Sequence, residues 1–553
     1  MSTKHWLRLA PPTQLCAMTD SLRPCGRMRG RLRYAVAIAL VAFGLSVPAI
    51  RPLSAQRTLA DLLIRNGRVI DGTGAPVRAA DVAITGDRIS FVGDATRANL
   101  RARRTIDARG LIVAPGFIDP HTHTLEDLSS DDPKRRANTD YLMQGVTTVI
   151  TGNDGGGPYE VARTLAKWKA GGIGSNGALL VGFGSVRQAV MGMSDAKAEG
   201  AQLDSMRALV DKGMREGALG MSTGLYYAPQ SYATTDEVVA LAKVAAKYGG
   251  IYDTHLRDES SYSVGLLAAI REAIRIGHDA AMASHISHIK ALGTDVWGRS
   301  DSAIAIIEAA QKAGDRVSAN QYPYTASGSS VGASLLPRWA EVSGRDSLRA
   351  RVANPATKAR LVTDMTENLR RRGGATSLLI TSTRDTSILG RTLEDVAKAR
   401  DVSPVEAAIQ IIVAGDASVA SFNMDEKDIV AFMRRPWVMT GSDGSAGHPR
   451  KYGTFPKKWA EYVREKKVLT PEQFVRQSSA LTAETFGIRD RGFLATGKYA
   501  DVVVFDDAAF KDRSTYQKPT ELATGMKYVI VNGKVAVDDG TYTGIMPGVG
   551  LTR

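Results

Sequence analysis

The sequence predicts an α/β fold: a (β/α)8 barrel of the TIM type, with a small β-sandwich domain built from both chain ends and a subdomain inserted between barrel strands 7 and 8. Three observations predict it. Eight short apolar runs alternate with helix-like stretches between residues 115 and 489. Runs of period-two alternation punctuated by Asn-Gly and Asp-Gly occur outside that region, at both ends of the chain. Residues of metal-ligand type fall at the C-terminal ends of the apolar runs, where barrel enzymes keep their chemistry.

The first 55 residues are of another kind. An arginine-dense run, Arg27–Tyr34, precedes the uncharged apolar segment Ala35–Val47, and small residues and prolines follow up to Gln56. Basic, apolar, then small is the order of a secretory signal peptide, with cleavage expected after Ala49 or Ala55. The apolar part is too short to cross a bilayer comfortably, so no stable membrane anchor is expected and the product is periplasmic or secreted. Both cysteines, Cys16 and Cys25, precede the apolar core, which removes disulfides and thiolate metal ligands from the exported chain.

Charge changes with the same cut. The whole chain has 71 Lys and Arg against 57 Asp and Glu; without eight bases and one acid of residues 1–55, the balance is 63 against 56, or +7. No basic run interleaved with aromatics appears in the remainder, which argues against nucleic acid as a partner. A modest positive field suits small anionic substrates. Oligomeric state has no signature here.

The β-domain is expected from residues 56–114 and 490–553, which contain "LLIRNGRVIDGTGAPV", "DVAITGDRISFVG", "DVVVFD" and "KYVIVNGKVAVDDG". Within the barrel, residues 115–489, the strands are expected at "LIVAPGFID", "TTVITGND", "ALLVGFG", "LGMSTG", "GIYDTH", "AAMASHISH", "RVSANQYPY" and "WVMTGSD". Helices are expected between them, for example over Thr234–Gly249, whose "TTDE" opening puts acids in the first turn, and over Ser261–Gly277. The seventh gap, about 331–435, is too long for one helix and marks the insertion.

Candidate chemistry sits at the strand ends. The first ends in His121 and His123, the second in Asp154, the fifth in His255, the sixth in His285 and His288, and the eighth in Asp443. Strand side chains two apart share a face, so His121 and His123 can both aim into the barrel mouth. One histidine at a strand end is ordinarily a hydrogen-bonded structural residue; His121, His123, Asp154, His255 and His288 together point to a metal. Imidazoles with carboxylates and no sulfur make zinc the default ion. Asp443 is the candidate proton acceptor.

Five motifs, "GFIDPHTH", "THLRDES" (Thr254–Ser260), "SHIK" (Ser287–Lys290), "YPYTA" (Tyr322–Ala326) and "GSDG" followed by "HPRKYGTFP" (Gly441–Pro456), occur in an order that resembles the N-acyl-D-amino-acid deacylases of the amidohydrolase superfamily. The likeness runs from about Leu62 to the C-terminus. It implies a tight zinc held by His255, His288 and a second-strand ligand, a second, weakly filled site at His121 and His123, and Asp443 as catalytic acid/base. The second-strand ligand of similar proteins is a cysteine in a "GNCG"-like turn; here "TGNDGGG" puts Asp154 there, a hard oxygen donor for a soft thiolate. The resemblance also implies substrate contacts at Lys290, Arg450, Tyr227, Tyr322 and Ser329, with Tyr226 as a rival to Tyr227 and Ser327 and Ser330 as rivals to Ser329. Lys290, two positions after His288, is expected on the same strand face. The segment between Asp443 and Arg450 is shorter than in typical relatives, which leaves room for Arg450 to be displaced.

The expected activity is hydrolysis of N-acyl-D-amino acids to a carboxylate and a free D-amino acid, the D-preference resting on the resemblance alone. The alternatives are a dipeptidase acting on dipeptides with a C-terminal D-residue, a cyclic-amide hydrolase, and a catalytically inert exported binding protein. Cyclic-amide enzymes usually carry a bridging lysine on the fourth strand, and "LGMSTGLYY" has none.

Overall fold

The structure is a computed structural model that describes residues 59–553; the expected signal segment, Cys16 and Cys25 lie outside the described residues. No helix among the described residues is long and apolar enough to cross a membrane.

Eight parallel strands form the barrel. They are β1 (Phe117–Thr122), β2 (Val146–Thr151), β3 (Asn176–Leu179, continued by Val181–Gly182), β4 (Gly220–Gly224), β5 (Ile251–His255), β6 (Ser284–Ile286), β7 (Val317–Gln321) and β8 (Val438–Thr440). Each pairs with the next in parallel register. The ring closes where Thr122 bridges Gly444 and the Asp443 N–H donates to the His121 carbonyl at 2.9 Å. Nearly every residue of these strands is buried, because helices cover the outside and side chains fill the inside, so they read as continuous apolar runs instead of alternating ones.

The helix Thr235–Ala246 starts where the "TTDE" motif places it: the Thr234 hydroxyl accepts the Glu237 N–H at 3.2 Å, and Asp236 and Glu237 lie in the first turn. The helix expected from Ser261 begins only at Leu266. Asp258 accepts the N–H groups of Ser260, Ser263 and Gly265, holding a turn there, and Gly265 has a φ of 81° that no helix admits. The sixth strand is likewise shorter than "AAMASHISH" suggests, stopping at Ile286.

Strands from both chain ends hydrogen-bond into one nine-stranded sheet, and Leu62, Val82, Ile106, Val113, Val504 and Ile530 from it share one apolar core. Its seam is the antiparallel pair Ile112–Pro115 with Val502–Phe505. Asn532-Gly533 makes a tight hairpin turn, both residues having positive φ. Asn66-Gly67 carries the same signal but is a bulge inside the single strand Leu59–Val69, because Asn66 takes a φ of 61° while the pairing with Arg78–Thr85 continues past it. The last strand, Gly550–Leu551, leaves this sheet and pairs with Gly177–Ala178 of β3. Between β7 and β8, the antiparallel strands Ala326–Ser330, Leu378–Ser382 and Ser418–Phe422 and their helices share an apolar core of their own, built on Val331, Leu361, Leu378, Leu393 and Val419.

Lys458, in the π-helical turn that follows Pro456, is buried with no acidic partner among the described residues; its ammonium donates only to Thr440 and Gln477. Burial pulls its pKa down to about 7. Unfolded lysine titrates near ~10.4, so between about 7 and ~10 the unfolded chain binds the extra proton and stability rises with pH, by about 1.4 kcal/mol per unit. Unfolding of Lys458→Met against the parent from pH 7 to 10 should therefore show the parent gaining stability relative to the variant as pH rises.

Candidate metal centre and cleft

Three site residues lie just past their strands, where the chain must turn sharply over the barrel mouth. Asp154 follows β2 with a φ of 54°, His288 follows β6 at 35°, and Asp443 follows β8 at 48°. Such left-handed backbone costs about 1–2 kcal/mol per residue and persists only where neighbours hold it. Here they do: Gln230 Nε2 donates to the Asp154 carbonyl at 2.9 Å, the His288 N–H to Asn320 Oδ1 at 2.9 Å, and the Asp443 N–H to His121 as above. Gly152, at a φ of 86°, permits the first turn, since a Cβ there would stand 2.7 Å from the Leu180 carbonyl oxygen.

The side chains then converge. His121 Nε2 lies 3.5 Å from Asp154 Oδ1 and 3.6 Å from Asp443 Oδ1, and His288 Nε2 lies 3.6 Å from Asp154 Oδ1. His123 Nε2 stands 3.0 Å from Asp443 Oδ1 and 3.6 Å from Asp154 Oδ2. His255 Nδ1 is 2.9 Å from His288 Nε2 and 3.9 Å from Asp154 Oδ1. Donors about 2.1 Å from a tetrahedral ion sit about 3.4 Å from one another, close to the first three of these separations, 3.5, 3.6 and 3.6 Å, and the His121, Asp154, His288 and Asp443 donor atoms all lie within 4.8 Å of one another. Both ring nitrogens of His121 and Asp154 Oδ1 are buried with no hydrogen-bond partner. Orphaned donors of this kind, all nitrogen and oxygen, fit a divalent cation.

The electrostatics agree. Burial would raise Asp154, but His121 and His288 hold its carboxyl well below the usual range. Burial and Lys290 push His288 down, yet Asp443 and Glu259 outweigh them and lift it to about 9. Burial lowers His121, and takes His255 down to about 4. The acids Asp154, Glu259 and Asp443 set up a negative field strong enough to hold a proton on His288, and a field of that sign favours a metal cation in the proton's place.

Glu259 was not singled out by sequence reasoning. Its carboxylate backs both histidines, 3.2 Å from His288 Nδ1 and 3.7 Å from His255 Nε2, and pairs with Lys290 Nζ at 2.6 Å. A carboxylate on the far nitrogen orients a ligating imidazole and raises its basicity. The only signal was its place four residues after His255 in "THLRDES". Beneath His121, Asp119 accepts the His121 and Ser442 N–H groups, and burial pushes its carboxyl up to about 7. His285 stays apart from the cluster: Ser318 and Asn320 occupy its two nitrogens and Phe486 packs on its ring.

The cluster opens into a cleft of about 440 Å³, the size of a small-molecule site. Lys290, Arg450, Tyr227, Tyr322 and Ser329 all line it, as do the rivals Tyr226, Ser327 and Ser330. The same-face argument for Lys290 fails, since β6 ends at Ile286; Lys290 reaches the site from the following loop, with Nζ 2.6 Å from His288 Nδ1. Arg450 is buried, 2.8 Å from Asp443 Oδ2, with its guanidinium 4.8 Å from the Tyr322 ring centre. Both candidate clamps are thus already paired with acids. The Tyr322 hydroxyl is buried without a partner, and Tyr227 packs its ring 4.8 Å from that of His255. Arg372, from the insertion, also lines the cleft and was missed, because it lies in the basic run "LRRRGG" that reads as a solvated helix end.

Residues 104–537 match the model of the amidohydrolase family. The chain is 34% identical over 521 residues to the D-aminoacylase of Alcaligenes xylosoxydans xylosoxydans, covering 89% of this chain and 98% of that one. Among solved structures, a D-aminoacylase described as having a binuclear metal centre superposes with a TM-score of 0.76 at 33% identity, over 89% of this chain and all of that one. The N-acyl-D-glutamate deacylase of Bordetella bronchiseptica, solved with zinc and a phosphonate inhibitor, also superposes at 0.76, with 31% identity over 90% of this chain and all of that one.

Proposed function

The chain belongs to the D-aminoacylase group of the amidohydrolase family, and from that premise we propose that it is an exported, zinc-dependent hydrolase that cleaves the amide bond of N-acyl-D-amino acids. The observation that carries the reading is the convergence of Asp443 with four imidazoles and Asp154 at the mouth of the barrel, inside a substrate-sized cleft. A divalent ion held by His255, His288 and Asp154, with His121 and His123 offering a second position, would polarise the amide carbonyl and acidify water.

The residues of the chain supply the rest. Burial would favour protonated Asp443, but Arg450 and His288 beside it keep its carboxyl ionised far below the ordinary range, so it starts the cycle as a base. Set between the histidines and the cleft, it takes the proton of the attacking water and passes it to the departing nitrogen. Arg450 fixes that carboxylate in position. The free Tyr322 hydroxyl, flanked by Lys290 and Arg450, offers a donor to a substrate carboxylate. β4, Gly220–Gly224, carries no lysine, which speaks against cyclic-amide chemistry.

The test begins with protein recovered after export, whose N-terminus is expected at Ile50 or Gln56. Reconstituted with zinc and offered matched N-acetyl-D- and N-acetyl-L-amino acids, it should hydrolyse the D-series alone. Turnover confined to the L-series would refute the assignment.

A further inference from the structure

We propose that Arg372 forms an anion subsite for a second carboxylate of the substrate, so that the preferred substrates are dianionic N-acyl-D-amino acids. The proposal rests on the deacylase reading above and names the substrate class of the same cleft.

Four arginines are deeply buried among the described residues: Arg187, Arg372, Arg450 and Arg491. Three have a carboxylate, Arg187 that of Glu237 at 2.7 Å, Arg450 that of Asp443 at 2.8 Å, and Arg491 that of Asp501. Arg372, only 3% exposed, has none. Its nearest partners are neutral and distant, Ser327 Oγ and Tyr226 Oη each at 3.5 Å, together with the Asn423 amide, which satisfies its surroundings when its oxygen faces Arg372 Nη1 at 3.3 Å. The Arg372 Nε has no partner at all.

A guanidinium does not neutralise itself, so its burial is costly unless a counter-charge arrives. Arg372 is the backbone cap of the helix Pro355–Arg371, while its guanidinium reaches Ser327 and Tyr226. The cleft wall carries three acids and three cations, and Glu259 answers Lys290 while Asp443 answers Arg450. The third acid, Asp154, is surrounded by His121, His255 and His288, so among the lysine and arginines of the wall Arg372 alone faces no acid. Tyr226 and Tyr262 line the cleft beside it; the Tyr262 ring centre lies 5.7 Å from the guanidinium. The second carboxylate can come from an acidic amino-acid side chain or from a dicarboxylic acyl group, since either places a carboxylate away from the scissile amide.

The experiment compares kcat/KM for N-acetyl-D-glutamate, N-succinyl-D-methionine and N-acetyl-D-methionine in the parent, Arg372→Met and Arg372→Lys. One dianion should exceed the monoanion by about 100-fold in the parent, the scale expected for a desolvated charge pair, and which one does so identifies the source. That ratio should collapse to below ~3 in Arg372→Met and survive in large part in Arg372→Lys. Thermal unfolding verifies the fold of each variant, and no acid is left unpaired by either change. Equal kcat/KM for all three substrates in the parent, or an unchanged ratio in Arg372→Met, overturns the subsite. Glutarate binding by calorimetry decides independently of turnover: at least ~10-fold weaker binding to Arg372→Met supports the subsite and equal binding overturns it. Absence of any D-turnover overturns the deacylase reading instead, with the glutarate result still ruling on Arg372.

Discussion

Asp443→Asn is expected to lower kcat by about 10³–10⁴-fold, the upper range for loss of a positioned proton carrier, with the fold intact. Asparagine keeps the shape and can still accept from the surrounding imidazoles, so the turn at the end of β8, held through backbone to His121, should survive. What disappears is the anion that Arg450 and His288 keep ready for a proton. The loss should therefore fall on kcat more than on KM, while zinc content after dialysis stays near that of the parent, because the tight site proposed at His255, His288 and Asp154 keeps its donors and asparagine still offers an oxygen where Asp443 stood. Steady-state kinetics with N-acetyl-D-amino acids and metal analysis of the same preparation check both parts. Turnover within tenfold of the parent would remove Asp443 from the chemistry.

The barrel was legible because its strands are buried on both sides, and buried strands announce themselves as apolar runs whatever surrounds them. The candidate ligands were legible for a related reason: a charged or imidazole side chain ending such a run is out of place unless something binds it. What escaped depended on tertiary packing. Glu259 meets partners some thirty residues away, His288 and Lys290, and alone is one more acid after an arginine and an aspartate. Arg372 follows two other arginines, and nothing local tells which of the three turns inward; the packing that brings Arg372, Thr381 and Val419 to the wall of the cleft decides it. Asn66-Gly67 misled because left-handed backbone serves a bulge as well as a turn, and the pairing beyond it, not the dipeptide, chooses between them.

His288→Ala should abolish tight metal binding and, with it, activity. His288 is the one residue common to the two clusters able to hold an ion among the described residues, His121, Asp154, His288 and Asp443 on one side and His255, Glu259 and His288 on the other. Its Nε2 faces Asp154 and His255 while its Nδ1 is gripped by Glu259 and Lys290, so its ring is fixed at both ends. Alanine removes a donor, frees the neighbouring His255 and leaves Asp154 facing Asp443 with less positive charge between them. Affinity is expected to fall by at least ~10³-fold, beyond the 10- to 100-fold typical of losing an orienting partner alone. His123→Ala is the control of lesser effect: its ring is 39% exposed and touches the cluster from the rim, through Asp443 and Asp154. That variant should keep about one equivalent of zinc through gel filtration, whereas His288→Ala should elute empty and stay inactive in excess zinc. A full equivalent retained by His288→Ala would place the ion elsewhere in the barrel.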